Sequence, residues 1–248
     1  MIKIILIGLL LGSLSASQVV KIFGDSNYPP YSYIENGKAK GIYVDIIKLV
    51  FEKIPEYDLE LNMTAWKRAI SMTKSGKIVG FFPPYYSKKR TAWTNFSISI
   101  LGETSSVFAK ENVLKGKKRF PEDFFGLTVC LNRGFTLMTG GEEFKNAIEK
   151  KQIKLIEANN NKDCLSRLKR GLADFYINDQ FIDISKFPLI KKGMKATLNF
   201  GHIGFTLKDE KYPFIKDLTD KFNTIVKQMQ ADGTIDKIIQ NYKFKKDI

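Results

Sequence analysis

The sequence predicts an α/β fold made of two lobes, and three observations support this prediction. Short apolar segments typical of strands alternate with amphipathic segments typical of helices. The alternation runs through a first block of the chain and returns after about residue 120. The 248 residues are enough for one to two domains, and the composition is that of a globular protein. Because strand–helix alternation is typical of parallel sheets covered by helices, we expect one parallel sheet in each lobe.

The first block contains three predicted strands and two predicted helices. The helix over 42–54 is well defined, because Tyr43, Ile46 and Val50 recur at helical spacing on one side. Thr64 stands just before the second helix, where its hydroxyl can cap the first turn. The predicted strands are 19–23, 59–63 and 78–82, and the predicted helices are 42–54 and 66–74.

The second block repeats this pattern, and the chain then ends in two longer helical segments. An apolar stripe from Ile215 to Met229 marks the first of them. Asp232 and Gly233 interrupt the pattern, and Thr234 can cap the last helix. The predicted strands of the second block are 127–131, 153–157 and 175–177, and its predicted helices are 142–150 and 163–170.

The first residues have the pattern of a secretory signal peptide. Lys3 precedes an apolar run over 4–14, and the small residues Ser15, Ala16 and Ser17 follow it. The run is shorter than the roughly 20 residues that span a bilayer. A buried strand or an uncleaved anchor is the alternative. We expect residues 1–17 to be removed near Ser17 and the protein to be exported to the periplasm, without the cysteine that a lipid anchor needs.

The composition excludes several classes of function. The formal net charge of +14 comes from 34 Lys and only 6 Arg, and the lysines are scattered along the chain. Since arginine is the residue that recognises phosphates and bases with two hydrogen bonds, this pattern indicates a solvated surface and excludes a nucleic-acid partner. A single His and two Cys exclude multi-histidine metal sites and a four-thiolate zinc site. We therefore expect no metal and no cofactor.

The two cysteines can be bridged or free. Cys130 lies in a predicted strand and Cys164 near the start of a predicted helix. An exported protein reaches an oxidising compartment, which favours a disulfide. Spacing in the sequence does not show whether the two residues meet, so a pair of buried thiols is the alternative.

Residues that follow the predicted strands are the candidates for a binding site. Open α/β sheets bind ligands at the carboxyl ends of their strands, and two lobes can bring these ends together across a cleft. Arg90 there can hold a carboxylate, and Asp179 can hold an ammonium group. The turn at Gly134 can hold an anion on free backbone N–H groups. The alternatives are a surface arginine, an aspartate that starts a turn, and an ordinary glycine turn.

The ordered set of motifs resembles the family 3 extracellular solute-binding proteins, which are receptors of ABC importers for polar amino acids. The resemblance covers nearly the whole chain after residue 17. It implies a type II periplasmic-binding fold with two hinge crossings, with lobe 1 over 18–104 and 205–248 and lobe 2 over 105–204. The motifs are Tyr28-Pro-Pro-Tyr-Ser-Tyr, Gly41-Ile-Tyr-Val-Asp, Ser75-Gly-Lys, Arg90-x5-Phe-Ser, Asp123-x-x-Gly, Gly171-x-Ala-Asp-x4-Asp and Asp232-Gly-Thr-Ile-Asp-Lys-Ile.

The resemblance also implies roles for individual residues. Arg90 is expected to pair with a ligand α-carboxylate and Asp179 with its α-ammonium group. Tyr85 and Phe135 stand where the family usually has a ligand-binding Thr, so the pocket is more aromatic and can suit a larger, aromatic or non-standard solute, or a cation. The expected ligand-binding residues are Asp25, Tyr28, Trp66, Tyr85, Arg90, Phe135, Thr136 and Asp179.

The expected function is a monomeric receptor that captures an amino-acid-like solute by hinge closure and docks on a membrane ABC permease, without catalysis. One alternative is a dehydratase-like enzyme on the same scaffold. It would need an acid–base residue in the cleft, for which His202, Glu35, Glu103 and Asp25 are the candidates. Another alternative is a sensory ligand-binding protein that serves a separate signalling partner.

Overall fold

The computed structural model describes residues 17–243. The predicted signal peptide lies outside these residues, apart from Ser17. No helix within the described residues is both long enough and apolar enough to cross a membrane.

The strands are β1 (Gln18–Asp25), β2 (Asn27–Tyr28), β3 (Ser32–Glu35), β4 (Lys38–Lys40), β5 (Tyr57–Thr64), β6 (Gly80–Phe82), β7 (Thr94–Phe96), β8 (Leu101–Lys110), β9 (Thr128–Asn132), β10 (Lys154–Ala158), β11 (Phe175–Asp179), β12 (Ile190–Gly201) and β13 (Gly204–Thr206). The α-helices are α1 (Ile42–Phe51), α2 (Trp66–Lys74), α3 (Glu111–Leu114), α4 (Glu142–Glu149), α5 (Asn161–Arg170), α6 (Ile215–Ala231) and α7 (Thr234–Lys243).

Two five-stranded sheets define the two lobes, which confirms the predicted α/β fold. The sheet of lobe 1 has the order β5-β1-β6-β13-β7, and the sheet of lobe 2 has the order β10-β9-β11-β8-β12. A small sheet of β2, β3 and β4 follows β1. The chain leaves the first sheet after Phe96, enters the second at Leu101, and returns between Gly201 and Gly204. The exact boundaries expected at residues 104 and 204 stay predictions.

The expectation of wholly parallel sheets was wrong. β1 runs parallel to β5 and β6, and β9 runs parallel to β10 and β11, as the strand–helix alternation predicts. However, β13 is antiparallel to β6 and β7, and β8 is antiparallel to β11 and β12. The antiparallel strands are those that adjoin the two crossings, because a chain that leaves one sheet and later returns enters from the opposite end.

Strands β8 and β12 form the longest pairing of the molecule, and the periodicity did not reveal them. Their register runs from Ile190 opposite Lys110 to Gly201 opposite Leu101, with irregularities near Lys195. Much of β12 is exposed or half-buried and rich in lysine and glycine, so it lacks the apolar run of a buried strand. These two strands belong to the lobe 2 sheet, and each adjoins one of the two crossings between the lobes.

The buried faces of the helices match the predictions more closely than the residues at which the helices begin and end. Helix α1 buries Tyr43, Ile46 and Val50, but it stops at Phe51 rather than Ile54. Pro55 explains this early end, because a residue before proline is disfavoured in the helical conformation. Thr64 is not the N-cap of α2, since it is the last residue of β5.

The end of the chain differs from the prediction in one further detail. Thr234 begins the last helix as its first residue, and its backbone N–H donates to the Asp232 carboxylate at 2.9 Å. The side chain that satisfies this helix start is therefore that of Asp232.

A disulfide joins Cys130 of β9 to Cys164 of α5, with their Cα atoms 5.6 Å apart. Both residues are fully buried. Leu165 and Leu168 of α5 pack in the same apolar cluster. The bond thus holds this helix against the centre of the lobe 2 sheet, beside the carboxyl end of β9.

Candidate functional site

A cleft between the lobes collects most of the residues that the sequence suggested for binding. It encloses about 350 Å³, part of which is open to solvent. Seven of the eight expected residues line it, and Asp179 is the exception. The lining residues are Asp25, Tyr28, Trp66, Pro83, Tyr85, Arg90, Phe135, Thr136 and Thr139.

Arg90 is a cleft residue and not a surface arginine, since it is only 7% exposed. It opens a short 3-10 turn, Arg90–Ala92. Its guanidinium donates to the carbonyl of Tyr85 and to the carbonyl of Gly134, each at 3.1 Å. Burial lowers the pKa of Arg90 to about 10, so the group stays positive at neutral pH. A guanidinium has five N–H groups, and those not used here can receive a carboxylate.

The carbonyl oxygen of Gly134 links the two lobes. It accepts hydrogen bonds from Arg90 at 3.1 Å and from the indole N–H of Trp66 at 3.3 Å. The guanidinium also lies 5.5 Å from the centre of the Trp66 ring. Gly134 has φ +90°, a conformation that favours glycine and presents the carbonyl to lobe 1. The anion-binding turn expected here differs, because the amide of Phe135 already donates to the carbonyl of Asn132 at 2.9 Å.

Glu103 and three tyrosines form a buried polar cluster at the floor of the cleft, behind the lining residues Tyr28 and Tyr85. The carboxyl group, on β8, is fully buried. Its Oε2 accepts from the hydroxyls of Tyr28 at 2.6 Å and Tyr85 at 2.8 Å, and its Oε1 accepts from Tyr43. The Tyr28 and Tyr85 hydroxyl oxygens are themselves 2.8 Å apart. We call these four residues the Glu103 cluster.

The sequence pointed to Glu103 only as a carboxylate of unknown position. Its tyrosine partners are 18 to 75 residues away in the chain, so no local spacing connects them. The three tyrosines come from β2, from α1 and from the segment after β6, and they meet only through the fold of lobe 1.

The cleft carboxyl groups have raised pKa values. Burial, reinforced by the charge of Asp179, raises the pKa of Glu103 to about 8, although the three tyrosine hydroxyls oppose the shift. Burial raises the pKa of Asp25 to about 6, against the opposing hydrogen bond from the amide of Asn27. Burial and the charge of Glu103 hold the pKa of Tyr28 and of Tyr85 well above its usual range. At neutral pH, Glu103 is therefore mostly protonated.

Asp179 lies behind the cleft rather than in its wall. It is the last residue of β11 and is 1% exposed, and it also begins a turn, as the alternative supposed, because its carbonyl accepts from the amide of Ile182 at 3.3 Å. Its Oδ1 accepts from the amide of Phe181 at 2.8 Å. Burial and the charge of Asp179 raise the pKa of Tyr31 in lobe 1, so Asp179 lies close to that lobe.

The remaining candidate residues differ in their position relative to the cleft. Thr136 lines the cleft, and its buried Oγ1 has no hydrogen-bond partner among the described residues. His202 lies outside the cleft lining, and its ring Nδ1 donates to the carbonyl of Ser97 at 2.8 Å. Glu35 is exposed at the end of β3. Among the four acid–base candidates, only Asp25 and Glu103 are thus associated with the cleft.

The model of the bacterial extracellular solute-binding proteins, family 3, matches residues 20–246. The chain belongs to this family. This membership agrees with the two-lobed fold and with the cleft between the lobes.

Individual relatives are distant in sequence but cover most of the chain. The probable amino-acid-binding protein YxeM of Bacillus subtilis (strain 168) is 24% identical, over 88% of this chain and 81% of its own length. A histidine kinase sensor domain described as similar to periplasmic binding proteins has a TM-score of 0.75 at 20% identity, over 91% of this chain and 96% of that one. The ancestral amino acid-binding protein AncCDT-1, a precursor of cyclohexadienyl dehydratase, has a TM-score of 0.70 at 21% identity, over 90% of this chain and 95% of that one. The two structures share the fold.

Proposed function

We propose that this protein is an exported receptor that binds a small amino-acid-like solute in the cleft between its lobes. The observation that carries the proposal is the position of Arg90. A buried arginine with unused N–H groups, set between aromatic walls, can bind the carboxylate of a small solute with two hydrogen bonds. The Bacillus relative, whose name describes it as a probable amino-acid-binding protein, supports this solute class.

The aromatic lining supports a solute with an apolar or aromatic part. Tyr28, Trp66, Tyr85 and Phe135 surround the space next to Arg90. Small-molecule sites are typically apolar clefts with a few placed polar groups, and this cleft has that composition. Tyr85 and Phe135 leave fewer small hydroxyls than the family usually has, which favours a bulkier solute over a small polar one.

Hinge closure is the proposed mechanism. The cleft walls come from both lobes, and within residues 17–243 two chain segments cross between them. A solute that contacts both lobes favours the closed state, because those contacts exist only there. The closed form then docks as a monomer on a membrane ABC permease, as the family resemblance implies. The proposed location is the periplasm, where the Cys130–Cys164 disulfide is stable.

A thermal-shift screen of residues 18–248 tests the proposal. The compounds are the amino acids, simple amines, small peptides and organic acids. A solute that binds only the folded state raises the melting temperature with concentration. We expect a shift with one class of amino acid, lost in Arg90→Ala and kept in the control Arg68→Ala, which changes an exposed arginine of α2. Equal shifts in both variants would contradict the role of Arg90, and no shift with any compound would contradict the receptor.

A dehydratase-like activity is the second candidate, and Asp25 is the observation that favours it. The carboxyl of this residue lines the cleft, and its pKa of about 6 suits proton transfer near neutral pH. Incubation of the protein with each bound compound, followed by mass spectrometry of the solute, distinguishes the two functions. A product that forms in wild type and not in Asp25→Asn would establish the enzyme, and an unchanged solute supports the receptor.

A further inference from the structure

When the carboxyl group of Glu103 is ionised, the hydroxyls of Tyr28 and Tyr85 both donate their protons in hydrogen bonds to it. Each hydroxyl lies within hydrogen-bond distance of Oε2, at 2.6 and 2.8 Å. A tyrosine hydroxyl has one proton to donate, and a carboxylate can only accept. Both phenol oxygens then keep only their lone pairs for a group in the cleft. The end of the cleft at Tyr28 and Tyr85 therefore offers acceptors to a solute.

The polarity of this end reverses when Glu103 is protonated. The carboxyl then has a proton of its own to donate, so it no longer needs every surrounding hydroxyl proton. One of the two hydroxyls, Tyr28 or Tyr85, then donates to the other, whose oxygen is 2.8 Å away, and that other hydroxyl is free to donate toward the cleft. Protonation of Glu103 thus decides whether this end of the cleft favours a donor, such as a protonated nitrogen, or an acceptor, such as a carboxylate.

Among the described residues, no positively charged side chain forms an ion pair with Glu103. Within residues 17–243, its carboxyl oxygens have tyrosine hydroxyls as their hydrogen-bond partners, and no lysine or arginine forms an ion pair with it. The groups that face it are Tyr28 from β2, Tyr31 from the turn after β2, Tyr43 from α1, Tyr85 after β6 and Asp179 from β11. Gly201 of β12 presents no side chain there.

We propose that Glu103 sets the charge that the cleft accepts: a solute nitrogen that is protonated binds against the Tyr28 and Tyr85 oxygens, and Glu103 gives up its proton to solvent. The carboxylate formed then has the solute cation close by in place of the proton, and the tyrosine rings add to the attraction. This inference rests on the proposed function, since it names the solute class of the same cleft. Glu103 acts through the tyrosines and is a positioning residue.

The first test needs no solute. Side-chain carboxyl carbons of ¹³C-glutamate-labelled protein are followed by NMR from pH 3 to 10, and the Glu103 signal is identified by its loss in Glu103→Gln. We expect it to titrate near pH 8, well above the exposed glutamates. A midpoint near the ordinary value of 4.5 would overturn the inference whether or not any solute is known.

The second test measures proton release on binding. Isothermal calorimetry at pH 7 in two buffers of different ionisation enthalpy uses the L-amino acids that bind in the screen, each beside its deaminated and decarboxylated analogues. We expect the wild type to release about one proton per bound amine and Glu103→Gln to release none. The deaminated acid should bind at least about tenfold more weakly. Tight binding of the acid, or equal proton release by wild type and Glu103→Gln, would overturn the inference while leaving the receptor intact.

A matched pair of tyrosine variants distinguishes a specific effect on binding from a general loss of folding. Tyr85→Phe removes a hydroxyl that lines the cleft and donates to Glu103, and Tyr57→Phe removes one that donates to Asp217 and does not line the cleft. At pH 9, where Glu103 is mostly ionised, we expect Tyr85→Phe to weaken amine binding about tenfold and Tyr57→Phe to leave it nearly unchanged. Equal losses in both variants would contradict the role assigned to the cleft hydroxyls.

Discussion

The guanidinium of Arg90 lies 3.1 Å from the carbonyl oxygen of Gly134, and these two residues belong to opposite lobes. Trp66 donates to the same oxygen. A residue expected only to bind solute therefore also connects the lobes. Because a guanidinium can donate in several directions at once, a solute carboxylate can add to this contact without replacing it.

The Gly134 contact predicts that the ligand-free protein favours a closed arrangement. Trp66→Phe removes the indole N–H and keeps an aromatic ring, so one of the two hydrogen bonds to Gly134 is lost. We expect the radius of gyration measured by small-angle X-ray scattering to increase in this variant. Trp93→Phe is the control, since Trp93 does not line the cleft. An identical scattering curve for wild type and Trp66→Phe would show that the indole bond does not hold the lobes together.

The raised pKa of Glu103 predicts a fall in stability with increasing pH. The folded protein keeps this proton up to about pH 8, whereas an unfolded glutamate loses it near 4.5. Between these values the folded state binds more protons, so the free energy of unfolding decreases by up to about 1.4 kcal/mol per pH unit as pH rises, and it levels off above pH 8. The effect of Asp25 has the same sign but ends near pH 6.

Urea titrations at pH 6.5 and 8 separate the two carboxyl groups. The decrease between these values should persist in Asp25→Asn and disappear in Glu103→Gln. A wild-type stability that stays constant or increases over this interval would contradict a protonated Glu103.

The disulfide predicts a measurable loss of stability on reduction. The bond closes a loop with a sequence separation of 34 residues between β9 and α5. A crosslink of this kind stabilises a protein by about 2–4 kcal/mol, mainly by restricting the unfolded chain. We expect the double variant Cys130→Ala/Cys164→Ala to lose stability of this order in urea titrations without reducing agent. If wild type treated with reductant unfolds at the same urea concentration as untreated protein, the bond does not stabilise the fold.

Substitution of Thr136 is expected to lower the affinity for the solute without lowering the stability of the fold. Its buried Oγ1 has no hydrogen-bond partner among the described residues, and the residue lines the cleft. Since no intramolecular hydrogen bond is broken, Thr136→Val should leave the melting temperature nearly unchanged. Affinity for the solute should fall by about tenfold if the hydroxyl binds it. Thr139→Val is the comparison, because Thr139 lines the same cleft. Undiminished affinity in Thr136→Val would remove Thr136 from the site.

The sequence predicted the parts of the fold that have their own periodicity. The apolar stripe of α1 and the buried parallel strands β1, β9 and β11 were expected near their observed positions. The crossing strands β8 and β12 were missed, because their pairing depends on residues about a hundred positions apart. β12 is also largely exposed or half-buried, and long-range pairing with such a strand leaves little local signal.

The same distinction applies to the cleft. Arg90 was recognisable from its motif, and so were the aromatic residues around it. Glu103 has no motif, and its tyrosine partners reach it from three separate elements. The motif also did not indicate that Asp179 faces Tyr31 rather than the cleft wall. Residue type could be predicted from the sequence, but which polar groups meet in the buried floor required the packed structure.

The close contacts around Gly201 show that the Glu103 cluster, at the floor of the cleft, is tightly packed. It lies opposite Leu101 at the end of the β8–β12 pairing. A Cβ atom at this position would overlap the Tyr43 hydroxyl and lie 2.6 Å from Oε1 of Glu103. Gly102 is the matched control, since the nearest atoms that a Cβ would meet there belong to the side chains of Leu198 and Phe200, at 3.3 Å or more.

We expect Gly201→Ala to lose about 1–3 kcal/mol of stability, because it overpacks a buried polar cluster, and Gly102→Ala to lose much less. Urea titration at pH 7 measures both. The pH dependence should change only in Gly201→Ala, where the displaced Tyr43 hydroxyl no longer stabilises the Glu103 carboxylate. Equal stability of the two variants would mean that the Glu103 cluster is not packed as closely as the contacts at Gly201 require.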